Sequence, residues 1–427
     1  MARRQLMLAP LLLIGLAAPS MALPLGQPGA GPSSAPLAFL PPAPPPLGLP
    51  QLQDQVSCPA LQRRLQAVVG AEASVWSISV ADPAGRLLAD VNGLRPRIPA
   101  SNQKLISTAY ALDRLGPDYH LRAQLWRLVD GTFRLTGEGD PDLALPQLQR
   151  ITKLALGSGG GSGALPNLVR LQIAEEPTQA WWPAGWDSSD RYYAYGAPIT
   201  RLAVTSNAIH EAVMNPPLRL QSLLERTAAQ QGGKLKVSLV SARAALPSDA
   251  VLLHEEPSAS MHDLLSLANT ESHNFTAEVL LRQAAGSWDL DEVRLRATLW
   301  LGQQGLPLQG LRLADGSGLD RSNRLTSRLL AALLLRMDQH PYGRDYLASM
   351  AVMGQRGTLR GLGQGTPLEG RFFGKTGTIS GVRAISGMLQ TSDGPRYVST
   401  ISNGASNPNR TIAAVLRQAQ VPGLCGS

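Results

Sequence analysis

Arg371-Phe372-Phe373-Gly374-Lys375-Thr376-Gly377-Thr378 runs into Ser380-Gly381, then into residues 382–391, Asp393-Gly394 and residues 397–403. Short runs of strand-forming residues punctuated by Ser-Gly and Asp-Gly predict three antiparallel strands joined by tight turns. Residues 409–418 then read as a closing helix. At the other end of the chain, residues 58–70 place Leu61, Leu65, Val68 and Val69 on one helical face. Residues 75–80 and 86–91 alternate as strands around the turn Asp82-Pro83-Ala84-Gly85. Two strands from the front and three from the back predict an α/β (α+β) fold with a five-stranded antiparallel sheet flanked by helices. Such a sheet would bring the two terminal helices together.

The strand around Lys375 matters for its chemistry as well. Only five lysines occur among the 39 basic residues, and two of them fall in an ordered trio: Ser101-x-x-Lys104, Ser272-x-Asn274 and Lys375-Thr376-Gly377-Thr378. Arginine keeps its proton in a protein, whereas a desolvated lysine can release it. Pro99-Ala100 leads into a helix predicted over residues 101–115, stopped by Gly116-Pro117. Residues three apart in its first turn share a face, so Ser101 and Lys104 become neighbours at a helix N-terminus.

A serine hydroxyl attacks only when a base removes its proton, and a neutral Lys104 can be that base. Partial burial and a second cation, Lys375, are expected to lower its pKa. Ser272 is placed to relay a proton toward a leaving amine, and Asn274 to position Lys104 and a substrate carbonyl. The Lys375 strand is expected to pair with an extended substrate through main-chain hydrogen bonds. Backbone N–H groups of Ser101 and Thr378 form the expected oxyanion pair. The side chains of Thr376 and Thr378, with Lys375, are expected to hold a terminal carboxylate.

Between the first two motifs, 167 residues separate Lys104 from Ser272. Short strand-like runs at 122–128 and 168–173, a glycine loop at 157–163 and an aromatic, turn-rich stretch at 181–195 predict an inserted, mainly-β domain over residues 121–250. The remaining body is then 58–120 and 251–427, with a helix at 278–285.

Beyond the trio, the stretches Leu115-Gly116-Pro117-Asp118-Tyr119, Gly139-Asp140-Pro141-Asp142-Leu143, Tyr195-Gly196-Ala197-Pro198, Asp315-Gly316-Ser317-Gly318-Leu319 and Gly357-Thr358-Leu359 make the chain resemble the class C low-molecular-mass penicillin-binding proteins. These are the D-alanyl-D-alanine carboxypeptidase/endopeptidase family, and the resemblance covers most of residues 95–405. It implies a β-lactamase/DD-peptidase-like fold split by an insertion. It also implies a periplasmic serine peptidase acting on peptidoglycan stem peptides through an acyl-serine, without a cofactor and inhibited by β-lactam antibiotics. Asp140 and Arg321 are substrate-side contacts by similarity, with a turn aspartate and a surface arginine as the alternatives. His273 stands where an acidic residue is common, Asp320 where a small one is, and the segment after Asn207 looks trimmed before Pro216-Pro217. His273 is expected to face outward and take no catalytic part.

Arg3-Arg4, the apolar stretch 6–18 and Ser20-Met21-Ala22 predict a secretory signal over residues 1–22, with an uncleaved anchor as the alternative. Residues 23–57, with ten prolines before Val56, read as an extended, poorly ordered linker. Membrane association is then at most peripheral. In an exported chain, the lone pair Cys58 and Cys425 invites a disulfide. In an exported chain a net charge of +8 points to an anionic wall polymer or membrane surface rather than nucleic acid, and without a basic block a solvated basic surface is the simpler reading. The six histidines show no metal-ligand spacing, which argues against a zinc peptidase. A β-lactamase-like hydrolase is the nearest rival, yet no Glu-x-x-Leu-Asn string lies between Asn274 and Lys375 to supply a deacylating base. A non-catalytic wall-binding or β-lactam-sensing protein would show damage in the trio, and the trio is intact.

Overall fold

The computed structural model describes residues 49–158 and 168–425. The expected export signal at residues 1–22, residues 23–48 of the proline-rich stretch and most of the glycine loop fall outside that range. Helix α1 (Pro59–Val69) is followed by strands β1 (Trp76–Ala81) and β2 (Leu87–Val91) and by α2 (Lys104–Leu115). Next come β3 (Arg122–Arg127), β4 (Phe133–Gly137), α3 (Leu145–Ser158), β5 (Val169–Glu175), α4 (Pro216–Gln230), β6 (Leu235–Ser241) and β7 (Val251–Pro257). The helices α5 (Met261–Asn269), α6 (Asn274–Ala285), α7 (Leu290–Gln303), α8 (Ser327–Asp338) and α9 (Gly343–Ala348) come after them. The chain ends with β8 (Ala351–Val352), β9 (Phe372–Ile379), β10 (Val382–Thr391), β11 (Gly394–Asn403) and α10 (Pro408–Ala419).

The main sheet has the order β2-β1-β11-β10-β9-β8, antiparallel throughout. It holds the five expected strands, and the two-residue β8 adds a short sixth at the edge beside Gly374 and Phe373. Every residue of β1 is buried, because the sheet is covered on both sides. Trp76, Ile78 and Val80 pack with Leu61 and Leu65 of α1 and Ile412, Val415 and Leu416 of α10. On the other side Ala384, Met388, Tyr397 and Ile401 pack against α2, α5, α6 and α8. The alternation legible in residues 75–80 is therefore a division between two apolar cores, with Ser79 Oγ 2.8 Å from Ser327 Oγ on the α8 side.

A second sheet, β6-β5-β4-β3-β7, is mixed: β3 pairs antiparallel with β4 and β7, while β4, β5 and β6 run parallel. Parallel neighbours need crossovers, and α3 and α4 provide them. They bury Leu148, Ile151, Leu220 and Leu224 on the sheet, so the insertion carries more helix than its sequence texture suggested. β7 extends this sheet to Pro257, past the break expected at residue 250.

The chain is tied down before Cys58. Gln53 N–H donates to the Gly85 carbonyl and Ser57 N–H to the Leu87 carbonyl, each at 2.8 Å, so the end of the proline-rich stretch lies along β2 instead of hanging free. A partly unpaired sheet edge offers those carbonyls, and the extended segment satisfies them.

Because α1 and α10 share one face of the sheet, the Cys58 and Cys425 Cα atoms stand 5.1 Å apart with their sulfurs bonded, across a separation of 367 residues. Cross-linking so long a loop stabilises by about 2–5 kcal/mol in the chain-entropy view. Cys58→Ser with Cys425→Ser should therefore lower the melting temperature in calorimetry and leave turnover per folded molecule unchanged. Equal melting temperatures with and without the bond would show that it adds no stability.

Candidate active site

Ser101, the expected nucleophile, sits on a 3₁₀ turn, Ala100–Gln103, that feeds α2. Ala100 holds φ at +47°, a left-handed conformation that costs a residue with a Cβ about 1–2 kcal/mol. Packing from three sides holds it there. Asn102 Nδ2 donates to Ser386 Oγ of β10 at 2.7 Å. A Cβ on Gly377 would lie 2.6 Å from the Pro99 carbonyl oxygen and 3.2 Å from Asn102 N, so only glycine lets β9 come this close. A Cβ on Gly318 would lie 1.9 Å from the Ala100 carbonyl oxygen.

Lys104, fully buried, makes three contacts through Nζ: 2.6 Å to Asn274 Oδ1, 2.7 Å to the Ser317 carbonyl oxygen and 3.0 Å to Ser101 Oγ. Two of these partners are carbonyl oxygens that can only accept. A neutral amine has two N–H groups and one lone pair, so the carbonyls take both N–H groups and the lone pair is left for the Ser101 hydroxyl proton. Burial pulls Lys104 down to about 7, against the carboxylates of Asp315 and Glu278, which push it up. Burial, and not the expected Lys375 cation, is what makes this amine a base.

Lys375 is itself fully buried, donates to the Thr376 carbonyl at 2.9 Å, and is held well below the ordinary lysine range by burial first and by the charge of Lys104 second. Burial thus drives both lysines toward neutrality, and at Lys375 the Lys104 charge adds to it.

Ser272 occupies a tight turn at φ +64° between α5 and α6. Helix α6 begins at Asn274, earlier than the sequence suggested, and Asn274 Nδ2 donates to the Tyr195 carbonyl at 2.8 Å. That bond orients the amide so that its oxygen faces Lys104. His273 does not face outward as expected. It is half-buried, its Nδ1 lies 2.8 Å from Thr276 Oγ1, and burial together with the Lys104 charge pulls it down to about 4.

A cleft of about 670 Å³ opens over these groups, lined by Ser101, Ser272, Asn274, Thr378 and Arg321 on one side. The second sheet's long connection lines the other side with Asp187, Asp190 and Tyr195. Along β9 the Phe372 carbonyl accepts from Met353 N–H. Strand alternation therefore points the N–H and C=O groups of Thr376 and Thr378 to that same edge. β8 covers the edge only as far as Gly374; beyond it the Thr376 carbonyl accepts from Lys375, and Thr378 is the exposed residue where the edge is open to an extended ligand. The Thr378 N–H then faces the cleft, and the Ser101 N–H at the start of a helical turn has no partner within that turn. These are the two expected oxyanion donors.

Two expectations change. The Thr376 hydroxyl donates to Thr358 Oγ1 at 2.8 Å, and the residue lines a separate apolar pocket of about 130 Å³ with Ile385 and Ile412, not the cleft. Asp140 is buried in a turn, accepting from Asp142 N–H at 2.9 Å, and burial raises its carboxyl to about 6; it does not line the cleft. Arg321 does line it, with Nη1 donating to the Ser380 carbonyl at 3.0 Å. Asp187 and Asp190 belong to no motif in the sequence, and Tyr195 stands there only at the head of the Tyr195-Gly196-Ala197-Pro198 stretch; the aromatic, turn-rich composition of 181–195 is the signal available for this wall. Among the described residues no cluster of three metal-ligating side chains occurs.

Comparison with known proteins gives the same assignment as the geometry. A D-alanyl-D-alanine carboxypeptidase of Actinomadura sp. (strain R39) is 26% identical over 432 residues, covering 79% of each chain. The crystal structure of penicillin binding protein 4 (dacB) from Haemophilus influenzae superposes with a TM-score of 0.69 at 17% identity, covering 86% of this chain and 99% of that one. The same protein complexed with a novel beta-lactam gives 0.65 at 18% identity, with the same coverage. The model of the D-Ala-D-Ala carboxypeptidase 3 (S13) family matches residues 60–217 and 206–421, and the chain belongs to that family.

Proposed function

We propose that the protein is a serine-type D-Ala-D-Ala carboxypeptidase that acts on peptidoglycan stem peptides through an acyl-serine. The observation that carries this reading is the Lys104 amine, neutralised by burial and committed to two carbonyl acceptors, 3.0 Å from Ser101 Oγ. Lys104 takes the Ser101 proton as Oγ bonds to the penultimate D-Ala carbonyl carbon. The N–H groups of Ser101 and Thr378 stabilise the oxyanion. The C–N bond then breaks, and the proton returns to the departing D-Ala amine through Lys104 and Ser272. Water attacks the ester, with Lys104 again accepting a proton, and frees Ser101. Lys375 supports the third motif and carries donors toward the substrate carboxylate. β-Lactams enter the same path and stay as acyl-serine, because no Glu-x-x-Leu-Asn string between Asn274 and Lys375 supplies a deacylating base. A peptidoglycan substrate supports a location outside the cytoplasm, which we read as the periplasm, with residues 1–22 as the export signal. Among the described residues no helix is long and apolar enough to cross a membrane.

Mass spectrometry of muropeptides before and after incubation tests the activity. Loss of one D-Ala per stem marks the carboxypeptidase, loss of cross-linked dimers marks endopeptidase action, and Ser101→Ala must abolish either. No change with the intact protein would exclude the reading. The base also sets a pH dependence. Because Lys104 must be neutral to act and titrates at about 7, penicillin acylation should slow as pH falls through 7 and level off above it. Stopped-flow acylation rates across that range check this, and a flat profile would count against Lys104 as the titrating base.

A further inference from the structure

The loop Asp315-Gly316-Ser317-Gly318, ahead of α8, is folded around two buried carboxylates. Glu278 Oε1 accepts both the Gly316 and Ser317 N–H groups, each at 2.8 Å, while its Oε2 accepts Arg282 Nη1 at 2.7 Å. Glu278 and Arg282 are fully buried. Asp315 accepts the Gly318 and Asp320 N–H groups and Asn323 Nδ2, each at 2.7 Å, and Trp186 Nε1 at 2.9 Å. Ser107 Oγ donates to the Gly316 carbonyl at 2.7 Å. What the loop presents to the reaction is the Ser317 carbonyl, which accepts from Lys104 Nζ.

We propose that Glu278 and Asp315 are positioning residues for the base: they lock this loop so that the Ser317 carbonyl takes one N–H of Lys104 and its lone pair is aimed at Ser101. Neither residue lines the cleft, so neither touches substrate. An amide at 278 has one acceptor oxygen where the carboxylate has two, so the Gly316 and Ser317 N–H groups compete for it with Arg282, and a loop of two glycines and a serine relieves the mismatch by rotating its peptides. The Ser317 carbonyl then leaves Nζ, and the amine is free to turn an N–H, instead of its lone pair, toward Ser101. The same carboxylates act on the amine by charge. Burial alone would make Lys104 too weak a base, and Glu278 and Asp315 restore part of its proton affinity. The other charged or titratable groups around it are Lys375 on β9, which also feels Glu271, His273 before α6, and Arg282 behind Glu278. Removing either carboxylate therefore shifts Lys104 toward easier proton loss.

This inference rests on Lys104 being the base, and the experiment separates the two. Acylation by benzylpenicillin and kcat/KM for a D-Ala-D-Ala peptide are measured across pH roughly 5 to 9 for the wild type, Glu278→Gln and Asp315→Asn. In both variants the acid limb should move down by about one pH unit, and the plateau should fall roughly tenfold. If Glu278→Gln leaves the Arg282 charge buried and does not fold, Glu278→Gln with Arg282→Gln replaces the ion pair by amides and carries the same test. An unmoved limb, whether activity is retained or lost evenly at every pH, overturns the proposal. Lys104→Met is the control: if it still acylates, the base assignment has failed instead.

Discussion

Lys104→Met will give a folded protein that gains no mass from benzylpenicillin and turns over D-Ala-D-Ala peptides roughly 10⁴-fold more slowly or worse, the scale seen when one member of an interdependent catalytic set is removed. Methionine fills a similar volume but has no lone pair on nitrogen to take the Ser101 proton. It also suits its surroundings. Lys104 is fully buried, and burial disfavours its charged form, so the substitution removes a desolvation cost as well as a base. The melting temperature should therefore hold or rise while activity disappears. That opposite movement distinguishes a missing base from general damage. Intact-protein mass spectrometry after antibiotic exposure and a thermal scan decide it. An adduct forming at the wild-type rate would remove Lys104 from the mechanism.

Gly377→Ala should cost on the order of 10²–10³ in kcat/KM, the range associated with one lost oxyanion donor. The new methyl would meet the Pro99 carbonyl at 2.6 Å and Asn102 N at 3.2 Å, both of them backbone atoms that cannot swing aside as a side-chain end can. β9 must then move away from the nucleophile turn. Thr378, the next residue, moves with it and carries its N–H out of line with the Ser101 N–H. Substrate still finds the open edge beyond β8, so the loss should fall mainly on kcat rather than KM. Steady-state kinetics on the soluble peptide resolve the two. Unchanged kcat would mean that the strand and the turn are not coupled in this way.

Much of this was readable before any coordinates. Turn pairs and two-residue alternation located the strands, and the trio located Ser101, Lys104, Ser272, Asn274 and Lys375, because motif spacing is local. What escaped was set by contacts distant in sequence. Ser317 supplies a backbone carbonyl, which no residue type announces. Glu278 read only as the start of a helix, since its partners are the N–H groups of residues 316 and 317. The motif suggests a substrate role for the Thr376 side chain, yet its hydroxyl meets Thr358, a partner distant in sequence. Asp140 looked like a contact and proved to be a turn residue, because the cleft wall comes from the stretch around Asp187 and Asp190.

The order β2-β1-β11-β10-β9 places the last strand between the first and the tenth. A chain emerging N-terminus first can form the β1–β2 hairpin early, but that hairpin has no neighbour on its other side until residue 403 has been delivered. Ser101 and Lys104 are thus synthesised long before the wall that will press them together. The turn that carries them therefore gains its β9 and β10 neighbours, at Gly377 and Ser386, only after most of the chain has been made.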